Sequence, residues 1–345
     1  MVRLTVNKHG IFACIGLLAL LLLVSACGNG NSSNDSSPSA TSQPSPSASS
    51  EQSQPASASA PSSGAKTRIV KDAFGDVEVP ANPERTVVLA SAALDNLLAL
   101  GVKPIGAPYS ISVNANFFAH LAGQTDGIEN TGTTDQPNLE TIAKLAPDLI
   151  IAQKDTHEAV YEDLKRIAPV YMSDRIPGEW KELLRDQADA VNKQAAADEL
   201  IAKFEDRIAK FKTDMGDKLA SRTISLIRPR EDHIRIYSEK TYSGAILVEA
   251  GLVRPTNQQG IEEQHIKITE EQIADMDADV IISFGRESEA DFFNEKILKN
   301  PLWNTLVAVK NNQVHMVNWE TWLSGQGIQA ANLILDDLTK FFIPS

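Results

Sequence analysis

A stretch of twelve residues occurs twice in this chain without a gap. Glu140-Thr141-Ile142-Ala143-Lys144-Leu145-Ala146-Pro147-Asp148-Leu149-Ile150-Ile151 aligns with Glu271-Gln272-Ile273-Ala274-Asp275-Met276-Asp277-Ala278-Asp279-Val280-Ile281-Ile282. In each copy a Glu opens a short helical pattern, an Asp follows eight residues later, and an apolar strand comes next. A second pair, Leu100-Gly101-Val102-Lys103-Pro104 and Gly251-Leu252-Val253-Arg254-Pro255, matches with one residue inserted. Two matches in the same order predict two halves built on one plan. Such halves leave a crevice, and crevices between domains are where small ligands bind.

The elements around the repeats are of alternating type. Thr86–Ala90, Ile105–Ala107, Asp148–Ala152 and Val170–Met172 are short apolar runs that predict buried strands, and Thr223–Arg228, His233–Tyr237 and Val280–Phe284 predict the same in the second half. Helices are predicted over Asp95–Leu100, stopped at Gly101, and over Thr156–Ile167. Strand–helix alternation indicates helix-covered, mostly parallel sheets, so the fold class is α/β with two Rossmann-like lobes. From Glu179 to Met215 there is neither Pro nor Gly, and Leu200, Ile201, Phe204, Ile208 and Phe211 form one apolar stripe. A break at Val191-Asn192 and a helix from Gln194 to Met215 are expected, the helix spanning ~33 Å. That is a spine as long as a lobe is wide, and it predicts only a modest hinge motion.

The N-terminus is of another kind. Arg3 and Lys8 precede an apolar run from Ile11 to Val24, followed by Ser25-Ala26-Cys27, the pattern of an export signal. Val24-Ser25-Ala26-Cys27 resembles a bacterial lipobox, which implies a lipid on Cys27 and anchorage on the outer face of the cell membrane. Residues 28–65 are Ser, Pro, Gln, Ala and Asn with almost no charge, a composition that cannot offset its ordering entropy and predicts a tether. The expected domains are therefore a signal (1–26), anchor and tether (27–66), a first lobe (67–178), connecting helices (179–216) and a second lobe (217–345). Both cysteines, Cys14 and Cys27, precede the body. A disulfide framework, a thiolate metal site and a cysteine nucleophile are excluded there. A formal charge of −13 argues against a nucleic-acid partner.

One segment of this acidic chain is basic. Arg228-Pro229-Arg230-Glu231-Asp232-His233-Ile234-Arg235-Ile236-Tyr237 follows the first strand of the second half, where strand ends meet the crevice in open α/β sheets. Arg228 and Arg230 share a face by period-two alternation, and guanidinium forks suit an anionic, oxygen-rich ligand. The alternative is a charged hairpin in which they pair with Glu231 and Asp232. Further candidates for ligand contact are Arg235, Tyr237, Trp319, Trp322, Tyr109, Lys154 and Arg286, each beside a strand end or a Gly-rich turn. His120, His157, His233, His265 and His315 form no i, i+4 pair, so no metal site is expected.

With Gly75-Asp76-Val77-Glu78-Val79-Pro80-Ala81-Asn82-Pro83-Glu84-Arg85 at the start, Asn138 to Ile150 in the middle and Pro301-Leu302-Trp303-Asn304 followed by Ala308 to His315 near the end, the body resembles one family. That family is the substrate-binding lipoproteins of bacterial ABC importers, in the ferric-siderophore, haem and cobalamin group. The resemblance implies an iron(III)-siderophore complex as ligand, no cofactor, ABC permease subunits as partners and a monomer. It also implies one permease-docking glutamate per lobe, which falls on Glu140 and Glu271, with the adjacent Glu270 as the alternative in the second lobe. Haem or cobalamin is the alternative ligand within the group. A siderophore-processing hydrolase is the alternative from another class, although no nucleophile elbow, phosphate loop or His-Glu-x-x-His motif is present. A tethered sensor would need no docking glutamates.

Overall fold

The computed structural model describes residues 66–343 apart from 111–115, 220 and 287–288. The signal, Cys27 and nearly all of the expected tether lie outside the described residues. Among the latter, no helix is long and apolar enough to cross a membrane.

Two five-stranded sheets carry the halves. An antiparallel hairpin, β1 (Thr67–Asp72) and β2 (Gly75–Pro80), precedes the first. That first sheet has the order β5-β4-β3-β6-β7, from β3 (Thr86–Val88), β4 (Gly106–Ala107), β5 (Glu129–Asn130), β6 (Leu149–Gln153) and β7 (Val170–Ser173). All of its pairs are parallel. The second has the order β10-β9-β8-β11-β12, from β8 (Ile224–Pro229), β9 (Ile234–Tyr237), β10 (His265–Ile268), β11 (Val280–Ser283) and β12 (Val314–Met316). It is parallel through β8, β11 and β12 but antiparallel through β8, β9 and β10.

The repeats mark equivalent joints. In the first half Asp148 accepts the amides of Glu84 and Arg85, fixing the entry to β3. In the second, Asp279 accepts the amide and hydroxyl of Thr223 at the entry to β8. Each Asp thus satisfies backbone donors where a strand begins and fixes the entry of the chain into the sheet. The other repeat is a helix stop. After α1 (Ser91–Ala99), Gly101 takes φ 75° while its amide bonds Leu98 and that of Val102 bonds Leu97. Gly251 does the same at φ 77° behind α7 (Tyr242–Glu249), with bonds to Val248 and, from Leu252, to Leu247. A positive φ is why a glycine stands at both places.

Helices α2 (Leu139–Leu145), α5 (Trp180–Ala190) and α6 (Gln194–Met215) follow the expected pattern, with Asn192 left-handed at φ 56° between the last two. Ala197, Ile201, Phe204, Ile208, Phe211 and Met215 form the buried stripe of α6. They belong to one apolar core with Val88 and Leu149 of the first sheet and Ile224 and Val280 of the second. The helix expected over Thr156–Ile167 is instead broken into α3 (Lys154–His157), a 3₁₀ turn and α4 (Tyr161–Lys165). His157 is fully buried there: Nδ1 accepts the Gln153 amide at 3.0 Å and Nε2 donates to the Thr134 carbonyl at 2.8 Å. Helical continuity yields to those two bonds. The second half adds α8 (Ala290–Phe292) and α9 (Val307–Lys310) before the last helix, α10 (Ile328–Phe342).

That last helix is capped from the far end of the chain. Its N-cap is Gly327, which has no side chain to offer, so Asn96 of α1 accepts the Ile328 amide at 3.0 Å. Asp95 accepts the amides of Gln329 and Ala330 at 2.8 and 3.1 Å, and His120 Nε2–H at 2.9 Å. The approach is close: a Cβ on Gly327 would lie 2.4 Å from the Asp95 carboxyl carbon. Asp95→Ala strands buried donors, each costing about 1–3 kcal/mol. The variant is expected to lose about 3 kcal/mol in denaturant unfolding, and an unchanged midpoint would contradict the capping role.

Burial holds the His157 imidazole below its usual pKa, as it does for His265 and His315. Below about pH 6.5 the unfolded chain takes protons that the folded one refuses, so stability is full above that value and falls with pH beneath it. Melting temperature should decline between about pH 7 and about pH 5, and His157→Gln should flatten part of the slope. Parallel curves for the two proteins would exclude His157 from the effect.

Candidate functional site

A cleft of about 380 Å³ lies between the lobes. Its first-lobe wall comes from the ends of strands and the start of α1: Ala90, Ser91, Tyr109, Ser110, Thr133 to Asp135, and Gln153. Its second-lobe wall is Arg286, Trp319, Ser324 and Gln326. Helix α1 begins at this wall with no side-chain cap, so its first-turn amides and the positive end of its dipole are presented to the crevice.

Arg286 and Trp319 form a unit. The guanidinium carbon stands 4.9 Å from the centre of the indole, which holds a planar cation by its π-face. Trp319 in turn meets Phe118 edge-on at 5.8 Å. Next to it the Ala119 amide donates to Glu320 at 2.7 Å, so the cleft floor is stitched across the lobes. Burial, and then the Arg228 charge, lower the Arg286 pKa, a sign that cations are crowded here.

That crowding comes from the antiparallel strands. Arg228 pairs in register with Arg235, Arg235 with Lys267, and Tyr237 with His265, so these side chains share one face. The opposite face is apolar, with Ile227, Ile234, Ile236 and Ile268 in a separate core. Burial works against the Arg228 charge, but the Glu289 carboxylate and the Tyr237 side chain outweigh it and raise its pKa. Arg228 Nε and Nη2 reach Glu289 at 3.0 and 2.7 Å, and Arg230 Nη1 reaches the same carboxylate at 2.8 Å.

The sequence candidates divide accordingly. Tyr109, Arg286 and Trp319 line the cleft. Arg228 and Arg230 stand behind Arg286, joined through Glu289 rather than through Glu231 or Asp232, because Asp232 is taken by His233. Arg235 donates to His233 Nε2 at 3.3 Å, and Tyr237 is buried against Phe284 and His265, so neither lines the cavity. Lys154 turns to the Phe74 ring, 5.1 Å away, leaving Gln153 at the wall. Trp322 departs most from expectation. It is fully buried, and its Nε1 donates to Asp337 of α10 at 2.8 Å, which makes it a core pin and not a cover for ligand. Ser91, Thr133, Thr134, Asp135 and Glu289 were not singled out from sequence; only the turn residues around Gly132 carry a local signal.

Glu140 is exposed in the first turn of α2, where Lys144 pairs with it at 2.7 Å. Glu271 is exposed in the equivalent turn of the second lobe and accepts the Thr269 hydroxyl at 2.5 Å, which lowers its pKa. Among the described residues no group of three or more His, Cys, Asp and Glu could hold a metal ion.

Known proteins share this plan. The probable siderophore-binding lipoprotein YfiY of Bacillus subtilis is 38% identical over 292 residues, covering 81% of this chain and 89% of the relative. The achromobactin-binding periplasmic protein of Dickeya dadantii is 33% identical, over 75% of this chain and 86% of its own length. The crystal structure of Staphylococcus aureus SirA complexed with staphyloferrin B superposes with a TM-score of 0.73 at 31% identity, covering 80% of this chain and 98% of that one. Residues 87–317 match the family described as periplasmic binding protein, and with two such α/β lobes around one cleft the chain belongs to that family of binding proteins.

Proposed function

We propose that this protein is an extracytoplasmic carrier, lipid-anchored through Cys27, that takes a ferric siderophore into the cleft and presents it to an ABC permease. The observation that carries the reading is the pairing of walls: Arg286 on its indole faces the uncapped start of α1 across the crevice. A cation and a helix N-terminus converging on one space favour an anion with several oxygens. A chelator fills the iron coordination sphere itself, so such a site needs donors for the chelate and not ligands for the metal. The relatives support the same class, since they are named for siderophores, and a further one, FecB of Escherichia coli, for Fe(3+) dicitrate. The exposed positions of Glu140 and Glu271 at equivalent turns support their role in docking, where carboxylates meet arginine forks and set register more than affinity.

Arg286→Ala should weaken binding of ferric citrate by roughly ten-fold or more, the scale of one charge-assisted bond lost in a half-buried site. Quenching of tryptophan fluorescence reports it, because Trp319 lines the cleft. An affinity equal to wild type would remove Arg286 from ligand contact.

Glu140→Ala combined with Glu271→Ala should leave that affinity unchanged and cut iron uptake by cells. Uptake at the wild-type rate would exclude these two as docking residues, leaving them to favour their helix N-termini, worth about 0.3–1 kcal/mol each.

A further inference from the structure

Among the described residues, Glu289 is the one carboxylate that pairs with Arg228 and Arg230, the arginines behind Arg286. Its side chain is 5% exposed, and four donors converge on it. Oε1 accepts Arg228 Nη2 and Arg230 Nη1, at 2.7 and 2.8 Å; Oε2 accepts Arg228 Nε and the Arg286 amide, at 3.0 and 2.9 Å. The Glu289 amide bonds back to the Arg286 carbonyl at 2.9 Å, so the carboxylate's own backbone is tied to the cleft arginine. We propose that Glu289 is a specificity-determining residue, a resident counter-anion that sets the charge of this wall and thereby the charge of the chelate the cleft accepts.

The inference rests on the ferric-chelate reading and adds to it. Among the described residues, the guanidinium groups of Arg228, Arg230 and Arg286 and the single Glu289 carboxylate carry a formal surplus of two positive charges. Without the carboxylate the surplus would be three, in a half-buried place where charges are felt over several ångströms. Arg228 is too buried to carry its charge unpaired, so part of the role is structural. The remainder is electrostatic: Arg230 is partly exposed and needs no internal partner for solvation, yet it too is drawn onto Glu289. A carboxylate there therefore takes up the charge of Arg228 and Arg230 and damps the field they set up at Arg286.

The test separates charge from shape. Glu289→Gln keeps an acceptor for Arg228 and removes the charge, whereas Glu289→Asp keeps the charge. Binding of ferric citrate, an anion, and ferrichrome, a neutral ferric trihydroxamate, is measured by fluorescence quenching over a range of salt. Glu289→Gln should shift the ratio of the two affinities about ten-fold toward ferric citrate and steepen its salt dependence, with Glu289→Asp close to wild type. A ratio that stays fixed, with both affinities moving together, would overturn the proposal and leave Glu289 a structural partner only. Where Glu289→Gln is too unstable to measure, Arg230→Met supplies the opposite sign with the Arg228–Glu289 fork intact. It should shift the ratio about ten-fold toward ferrichrome, and equal effects on both ligands would again refute the idea. Failure of wild type and all variants to bind either chelate would sink the ferric-chelate reading itself, and this inference with it.

Discussion

The capping of α10 by Asp95 and Asn96 is the interaction on which the geometry of the cleft rests. A helix that begins at a glycine has bare amides, and in the interior bare amides are costly. Here residues more than two hundred positions earlier satisfy them. Because the cap sits on α1, the helix whose start forms the first-lobe wall, closing the chain also fixes that wall against the segment bearing Trp319 and Gln326. The same junction uses the Tyr242 hydroxyl on the Gly327 carbonyl and Glu320 on the Ala119 amide. One core running through both sheets and along α6 leaves little freedom for the halves to swing.

The twofold plan was legible because it is written in local chemistry. An Asp that must take the amides of an incoming strand and a glycine that must turn left-handed constrain their own positions, so both survive in each half as a recognisable string. The spine was legible for a similar reason: a 3.6-residue stripe that starts after a left-handed asparagine needs no partner to be read. The break at His157 was not, because its cause is a carbonyl twenty-three residues away. Nor was the fate of Trp322, whose position beside a Gly-rich turn suggests a rim until Asp337 of the last helix is seen beneath it. Glu289 shows the limit most plainly. The arginines were visible as a cluster in sequence, but the carboxylate they converge on comes from another strand's exit and leaves no mark at their end.

The two halves differ in the build of their sheets. The first sheet is parallel throughout, and beside side chains such as Tyr109 and Gln153 its half brings backbone to the cleft: the open amides of α1 and the turn held by His157. The second sheet replaces two parallel strands by an antiparallel extension, β9 and β10, whose alternation puts isoleucines on one side and cations on the other. Parallel strands of this fold are covered on both faces and cannot carry such a row. An antiparallel edge can, because one of its faces is free to be polar. On the proposed reading, anion recognition is divided between the dipole of α1, which cannot titrate, and the Arg286 guanidinium, which follows β11 and feels the cations that the antiparallel pairing gathers beside it. On that reading the tunable side is the one that the buried Glu289 carboxylate controls.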